Sequence, residues 1–248
     1  MSKHFELLQQ IEKERSFNES ANGAPVALAP SASSFGNGAS LWADDESLRL
    51  VQQIFLRQTQ DPPRVVVFAG IDHGNGCSRI CASVAETLAK NAEGRVCLLE
   101  ANFRSPGLSG LLGVPNHHGL TEALLQDAPI ITYAKLVGQE NLWLLSAGTV
   151  AVDSPNLLTS DHLKLRLDQL REEFDSVIID APPLTSYSDA VVLGQLSDGL
   201  VLIIEAESTR REAASAVAEN LRSLKVPILA AVLNKRTFPI PERIYSRL

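Results

Sequence analysis

The chain has 248 residues, 45% of them apolar and 21% charged, with a formal net charge of −7. That length suits one sizeable α/β domain with a tail, and the acidic balance argues against a broad nucleic-acid-binding surface. No apolar run approaches the roughly 20 residues that cross a bilayer, and the charged N-terminus MSKHFELLQQIEKER has no signal-peptide core, so export is not expected. Cys77, Cys81 and Cys97 make no disulfide framework, and reduced thiols in a cytoplasmic protein are the expectation. Cys77 and Cys81 are four apart and can share a helix face, but with no His or further Cys nearby a metal site is not expected.

In chain order, residues 1–16 read as an N-terminal helix, with Phe5, Leu7, Leu8 and Ile11 near one face. Residues 17–43 are rich in Ser, Asn, Gly, Ala and Pro and read as a flexible linker. The main domain is expected over 44–248. Helical periodicity resumes at 44–58, with acids at its start suiting the helix N-terminus, and Pro62-Pro63 ends it. Apolar strands are expected at 65–69, 96–101, 141–148, 176–181, 199–206 and 228–234. Helices are expected at 78–91, 107–112, 119–126, 159–173, 186–196 and 208–224. Short β-branched runs alternating with amphipathic helices predict a doubly wound, mostly parallel sheet covered on both faces. Ligands in such sheets bind at the carboxyl ends of the strands.

Three strand ends carry polar groups there. The first is VVVFAGIDHGNGCSR (65–79), a strand, a glycine-rich turn and a helix in the layout of a phosphate-binding loop. A working loop ends Gly-Lys-Ser or Gly-Lys-Thr; here it ends Gly76-Cys77-Ser78, so the loop and the Mg²⁺-binding hydroxyl are kept and the cation is gone. The second is Glu100 to Arg104 after VCLL. The third is Asp180 before Pro182-Pro183, an apolar strand ending in a carboxylate able to hold Mg²⁺ directly or through water.

Over about residues 44–236 these segments resemble the bacterial protein-tyrosine kinases of capsule and exopolysaccharide synthesis. These are cytoplasmic kinase domains of polysaccharide co-polymerases, a P-loop NTPase-like fold related to partitioning ATPases. The likeness rests on HGNGCSR (73–79), LLEANFRSP (98–106), GLTEALL (119–125), LLSAG (144–148), VIIDAPP (177–183), SDA (188–190) and VLN (232–234). It implies ATP or ADP and Mg²⁺ as ligands. Gly74, Asn75, Gly76, Cys77, Ser78 and Arg79 would lie around the phosphates, Asn234 at the base, and Ser78 and Asp180 on Mg²⁺. Glu100 would be base or water-mediated metal ligand, Asp180 would join it in catalysis, and Arg104 would contact phosphate.

Each departure from the family pattern weakens catalysis. Cys77 replaces a lysine whose charge-assisted hydrogen bonds contribute roughly 1.5–3 kcal/mol each, and a cation at the transferring phosphoryl group can be worth about 10³–10⁵ in rate. Asp72 has the wrong sign for a triphosphate. Glu100 and Asn102 stand where the family has two aspartates. The tail FPIPERIYSRL holds one tyrosine, Tyr245, in place of a cluster, and a family Glu-Arg-Arg helix pattern here reads Glu46, Arg49, Gln52. Ser78 has two open readings, a Mg²⁺ ligand or a helix N-terminal residue. Arg79 also has two, a replacement cation or an outward-pointing side chain.

The leading expectation is a degenerate kinase homologue, with ATP and Mg²⁺ binding weakened and neither obligatory. It would regulate exopolysaccharide assembly or export by contact with a membrane co-polymerase or an active kinase paralogue, and a homo-oligomer is open. It would be recruited by its partner to the inner membrane face. The alternatives are an active tyrosine autokinase and a positioning ATPase of the partitioning type.

Overall fold

The computed structural model describes residues 40–56, 61–138, 141–150, 157–158 and 161–236. The expected N-terminal helix, most of the expected linker and the tail with Tyr245 lie outside the described residues. Helix α1 spans Ser40–Ile54, so it begins before the expected boundary at 44 and its first turn carries no acid. Its Val51 and Ile54, with Phe55 just beyond it, are buried, and Ser47 Oγ meets Ser83 Oγ of the next helix at 2.7 Å.

The remaining elements alternate along the chain. They are β1 Val65–Gly70, α2 Cys77–Asn91, β2 Val96–Glu100, α3 Leu108–Leu112 and α4 Leu120–Leu125. A 3₁₀ turn at Ile130–Tyr133 follows, then β3 Lys135–Leu136, β4 Leu142–Leu145, α5 Asp161–Glu173, β5 Ser176–Ala181, α6 Asp189–Gln195, β6 Gly199–Glu205, α7 Arg211–Ser223 and β7 Ile228–Asn234. The sheet order is β3-β4-β2-β5-β1-β6-β7, and every pairing is parallel except β3 with β4. The 3₁₀ turn and the two-residue β3 have no periodicity long enough to be read from sequence.

Strand parity decides which helix layer each side chain meets, because successive residues point to opposite faces. Val65, Val67 and Ala69 of β1, Cys97 and Leu99 of β2, and Val177, Ile179 and Ala181 of β5 share one buried cluster with α4, α5 and α6. Val66 and Phe68, Val96 and Leu98, and Ile178 pack on the other face against α1, α2 and α3. Glu100 and Asp180 have this second parity. They are also register partners, so two fully buried carboxylates lie side by side at the carboxyl ends of β2 and β5.

Two polar devices hold the α4 side. Arg166, 4% exposed, donates from Nε to the Ala123 carbonyl at 2.6 Å and from Nη1 to Ala128 O at 3.0 Å and Gln169 Oε1 at 2.6 Å, and Nη2 donates to Gln126 O. It therefore satisfies the carbonyls around the α4 C-terminus, which would otherwise be orphans. Gly119 lets two backbones touch: a Cβ there would sit 2.1 Å from Ser146 O and 2.5 Å from Gly148 N.

Candidate nucleotide-loop site

The loop between β1 and α2 is held by side chains behind it. Gly74 and Gly76 have φ of 79° and 86°, the left-handed region where a Cβ is strained. Asn75 is buried, lies against Gly70, and donates its amide to Ile203 O at 3.1 Å. Asn234 donates to Asn75 O at 2.7 Å, and Lys235 donates to Gly74 O at 2.7 Å while pairing with Glu205 at 3.1 Å. Three side chains thus tie the loop to the ends of β6 and β7. Asn234, expected at the base, is spent on the loop backbone and does not line the cavity.

A cavity of about 360 Å³ opens over the loop at the carboxyl ends of β1, β2 and β5. Of its lining residues only Asp72 and Arg79 carry charged side chains. Asp72 Oδ1 lies 3.1 Å from Thr185 Oγ1, whose single proton is shared with the nearer Ile71 carbonyl at 2.8 Å. Gly74, Asn75, Gly76, Cys77, Ser78 and Arg79 all line this cavity, as expected from the motif. Arg79 is exposed and is among the residues around this wall. A second hollow of about 460 Å³, at Arg222 and 225–228, lies at the amino end of β7, away from every candidate residue.

Glu100 does not face the cavity. Its Oε1 accepts from the N–H groups of Gly107 at 2.5 Å and Leu108 at 2.6 Å, and its Oε2 from Ser109 Oγ at 3.3 Å and Ala147 N at 3.2 Å. A carboxylate with both oxygens so engaged is the N-terminal anchor of α3. Its four acceptor positions are all engaged by these donors, and it does not line the cavity. Arg104 is likewise placed elsewhere. Its guanidinium lies 4.1 Å from the centre of the Tyr187 ring and pairs with Asp189 at 3.3 Å, and it does not line the cavity. Asn102 does line it, and accepts from Ser105 N at 3.2 Å.

Asp180 is completely buried beside α2. Burial raises its pKa to about 6, the nearby Ser78 hydroxyl and Cys77 thiol work against burial, and the neighbouring Glu100 adds to it. Cys81 Sγ lies 3.7 Å from Asp180 Oδ1, and Oδ2 has no hydrogen-bond partner among the described residues. Ser78 sits inside the first turn of α2, whose N-cap is Gly76 with no side-chain cap. Ser78 is thus a helix N-terminal residue, and its hydroxyl also lies on the cavity wall near Asp180. Oxygen donors for Mg²⁺ are thus present, whereas a triphosphate would meet one arginine, one opposing aspartate and no lysine on the wall.

Sequence reading missed Lys235 and the structural use of Asn75. The Asn234-Lys235 pair at a strand end was the available signal for the first. Cys81 was seen only as a neighbour of Cys77, because nothing in the chain order says that Asp180 faces it.

No protein-family model matches the chain. It is 30% identical over 161 residues to the tyrosine-protein kinase YwqD of Bacillus subtilis, covering 65% of this chain and 68% of that protein. It is 27% identical over 175 residues to the succinoglycan biosynthesis transport protein ExoP of Rhizobium meliloti, 69% of this chain but 22% of that one. The solved kinase domain of the Escherichia coli tyrosine kinase ETK superposes with a TM-score of 0.71 at 22% identity, covering 79% of this chain and 78% of that domain. With a cradle of P-loop form at the carboxyl end of a parallel sheet and this extent of likeness to YwqD, the chain belongs to the bacterial tyrosine-protein kinase family.

Proposed function

We propose that this chain is an impaired kinase homologue that regulates exopolysaccharide assembly or export by protein contact, with weak or absent ATP turnover. The carrying observation is the cavity wall: Cys77 stands at the lysine position, and Arg79 is the one Lys or Arg among the described residues that line it. The reading is supported by two of the residues expected to serve chemistry, since Glu100 accepts from the N–H groups at the start of α3 and Arg104 meets Asp189 and Tyr187. Ser78 and Asp180 would hold Mg²⁺ and the loop N–H groups would take phosphate oxygens, so residual nucleotide binding fits better than transfer. The partner would be a membrane polysaccharide co-polymerase or an active kinase paralogue that brings the chain to the inner membrane face. No helix among the described residues is long and apolar enough to cross a membrane.

Arg79 is the observation that favours the second reading, an active autokinase with Arg79 as replacement cation. Calorimetric titration with ATP and Mg²⁺, beside Cys77→Lys, separates the two. Restoring a charge-assisted contact of roughly 1.5–3 kcal/mol should tighten binding about tenfold to hundredfold. Micromolar binding by the unmodified protein, unchanged in the lysine variant and lost in Arg79→Ala, would refute the impaired-site reading.

A further inference from the structure

We propose that Cys77, Cys81 and Asp180 form a binding site for a thiophilic divalent cation of the zinc class, with a fourth coordination position open to the cavity. The inference does not depend on whether the chain turns over ATP. Cys77 and Cys81 are one helical turn apart on α2, so the rigid helix presents both sulfurs on the face that meets β5. Asp180 arrives on that face by strand parity. The three potential ligand atoms all lie within 4.8 Å of one another, the single such grouping among the described residues.

Two of the three edges match those of a coordination tetrahedron, and the third lies within 4.8 Å. With Zn–S of about 2.3 Å and Zn–O of about 2.1 Å, tetrahedral angles put two sulfurs about 3.8 Å apart and a sulfur and an oxygen about 3.6 Å apart. Here Cys77 Sγ to Cys81 Sγ is 3.9 Å and Cys81 Sγ to Asp180 Oδ1 is 3.7 Å. A second observation is independent of the thiols. Asp180 is 0% exposed, yet its Oδ2, the oxygen that Cys81 does not meet, has no hydrogen-bond partner among the described residues, a costly arrangement for a buried oxygen unless something binds the carboxylate. Cys77, half-buried, lines the cavity and gives a cation a way in, and a water from the cavity would complete four ligands.

Donor softness decides between metals. Two thiolates with one carboxylate suit zinc-like ions, whereas Mg²⁺ prefers an all-oxygen shell. Binding would displace the thiol protons, as metal coordination to cysteine does. Cys97 takes no part, because its odd parity places it in the opposite cluster.

The test uses the full chain, reduced and stripped of metal, with Zn²⁺ or Co²⁺ alone as probes and no nucleotide. Co²⁺ should bind one per chain and give sulfur-to-metal charge-transfer absorption, and one equivalent of Zn²⁺ should abolish it and protect two thiols from a thiol reagent. Cys81→Ser and Asp180→Asn should weaken Co²⁺ binding at least tenfold, and Cys97→Ser should leave it unchanged. Absence of the charge-transfer band in unmodified, folded protein would overturn the proposal and leave the pair as a buried thiol network. Unchanged Co²⁺ affinity in Cys81→Ser would overturn it as well.

Discussion

Replacing Glu100 by Gln tests whether this carboxylate is structure or chemistry. Its two oxygens accept four hydrogen bonds, from Gly107 N, Leu108 N, Ser109 Oγ and Ala147 N. An amide keeps one accepting oxygen, which serves Gly107 and Leu108 without the charge. Its NH₂ then faces the Ala147 N–H, donor against donor, while the Ser109 hydroxyl can rotate to accept. An orphaned buried N–H costs about 1–3 kcal/mol, and weakening two charge-assisted bonds adds about 1 kcal/mol, so the loss should be about 2–4 kcal/mol. Repulsion between Glu100 and Asp180 works the other way. At pH 5, Asp180, with its pKa raised to about 6, is mainly protonated and that relief is small. Urea unfolding at pH 5 in reductant and chelator is therefore the assay, with a lower midpoint and an unchanged slope expected. A loss under about 0.5 kcal/mol, the size of an ordinary surface change, would refute the anchoring role and return Glu100 to the list of candidate bases.

Asp198 gives the pH prediction. Burial pushes its carboxyl up, but hydrogen bonds from Arg171 and from the Val65 and Arg64 N–H groups outweigh it and hold the pKa below 3.8. A lowered folded-state value means stability that is present above about pH 4 and lost as pH falls through it. The gap between the unmodified chain and Asp198→Asn should thus be about 1–2 kcal/mol near pH 7 and shrink below pH 4, read from urea midpoints across pH. Arg166→Met strands the carbonyls of Ala123, Gln126 and Ala128, a loss of about 3 kcal/mol or more that should lower the Tm by roughly 6–12 °C. An unchanged Tm would mean that water replaces the guanidinium. Gly119→Ala should lower the urea midpoint sharply or abolish folding, since its Cβ meets backbone at 2.1 Å, whereas Gly110→Ala, a helical position with open space, should gain up to about 1 kcal/mol. Equal effects at the two glycines would refute the close-approach argument.

The sequence by itself determined the class of fold and every strand but the two-residue β3. Buried strands such as Val65–Gly70 and Ser176–Ala181 are continuous apolar runs, and that pattern is local. The glycine loop was legible for the same reason, because left-handed turns at Gly74 and Gly76 need a particular residue in a particular place. The missing lysine could be read directly. Only the tertiary structure decided what the polar residues do. Glu100 and Asp180 are eighty positions apart in the chain, and sheet order and register make them neighbours. The four donors to Glu100 come from two separate segments, 107–109 and 147, so the sequence around Glu100 does not announce them. Arg104 meets Asp189 and Tyr187, partners far along the chain. The Cys77–Cys81 spacing was visible from the start, but the third ligand was not, since a helix face acquires a partner only when a strand of the right parity is placed beneath it.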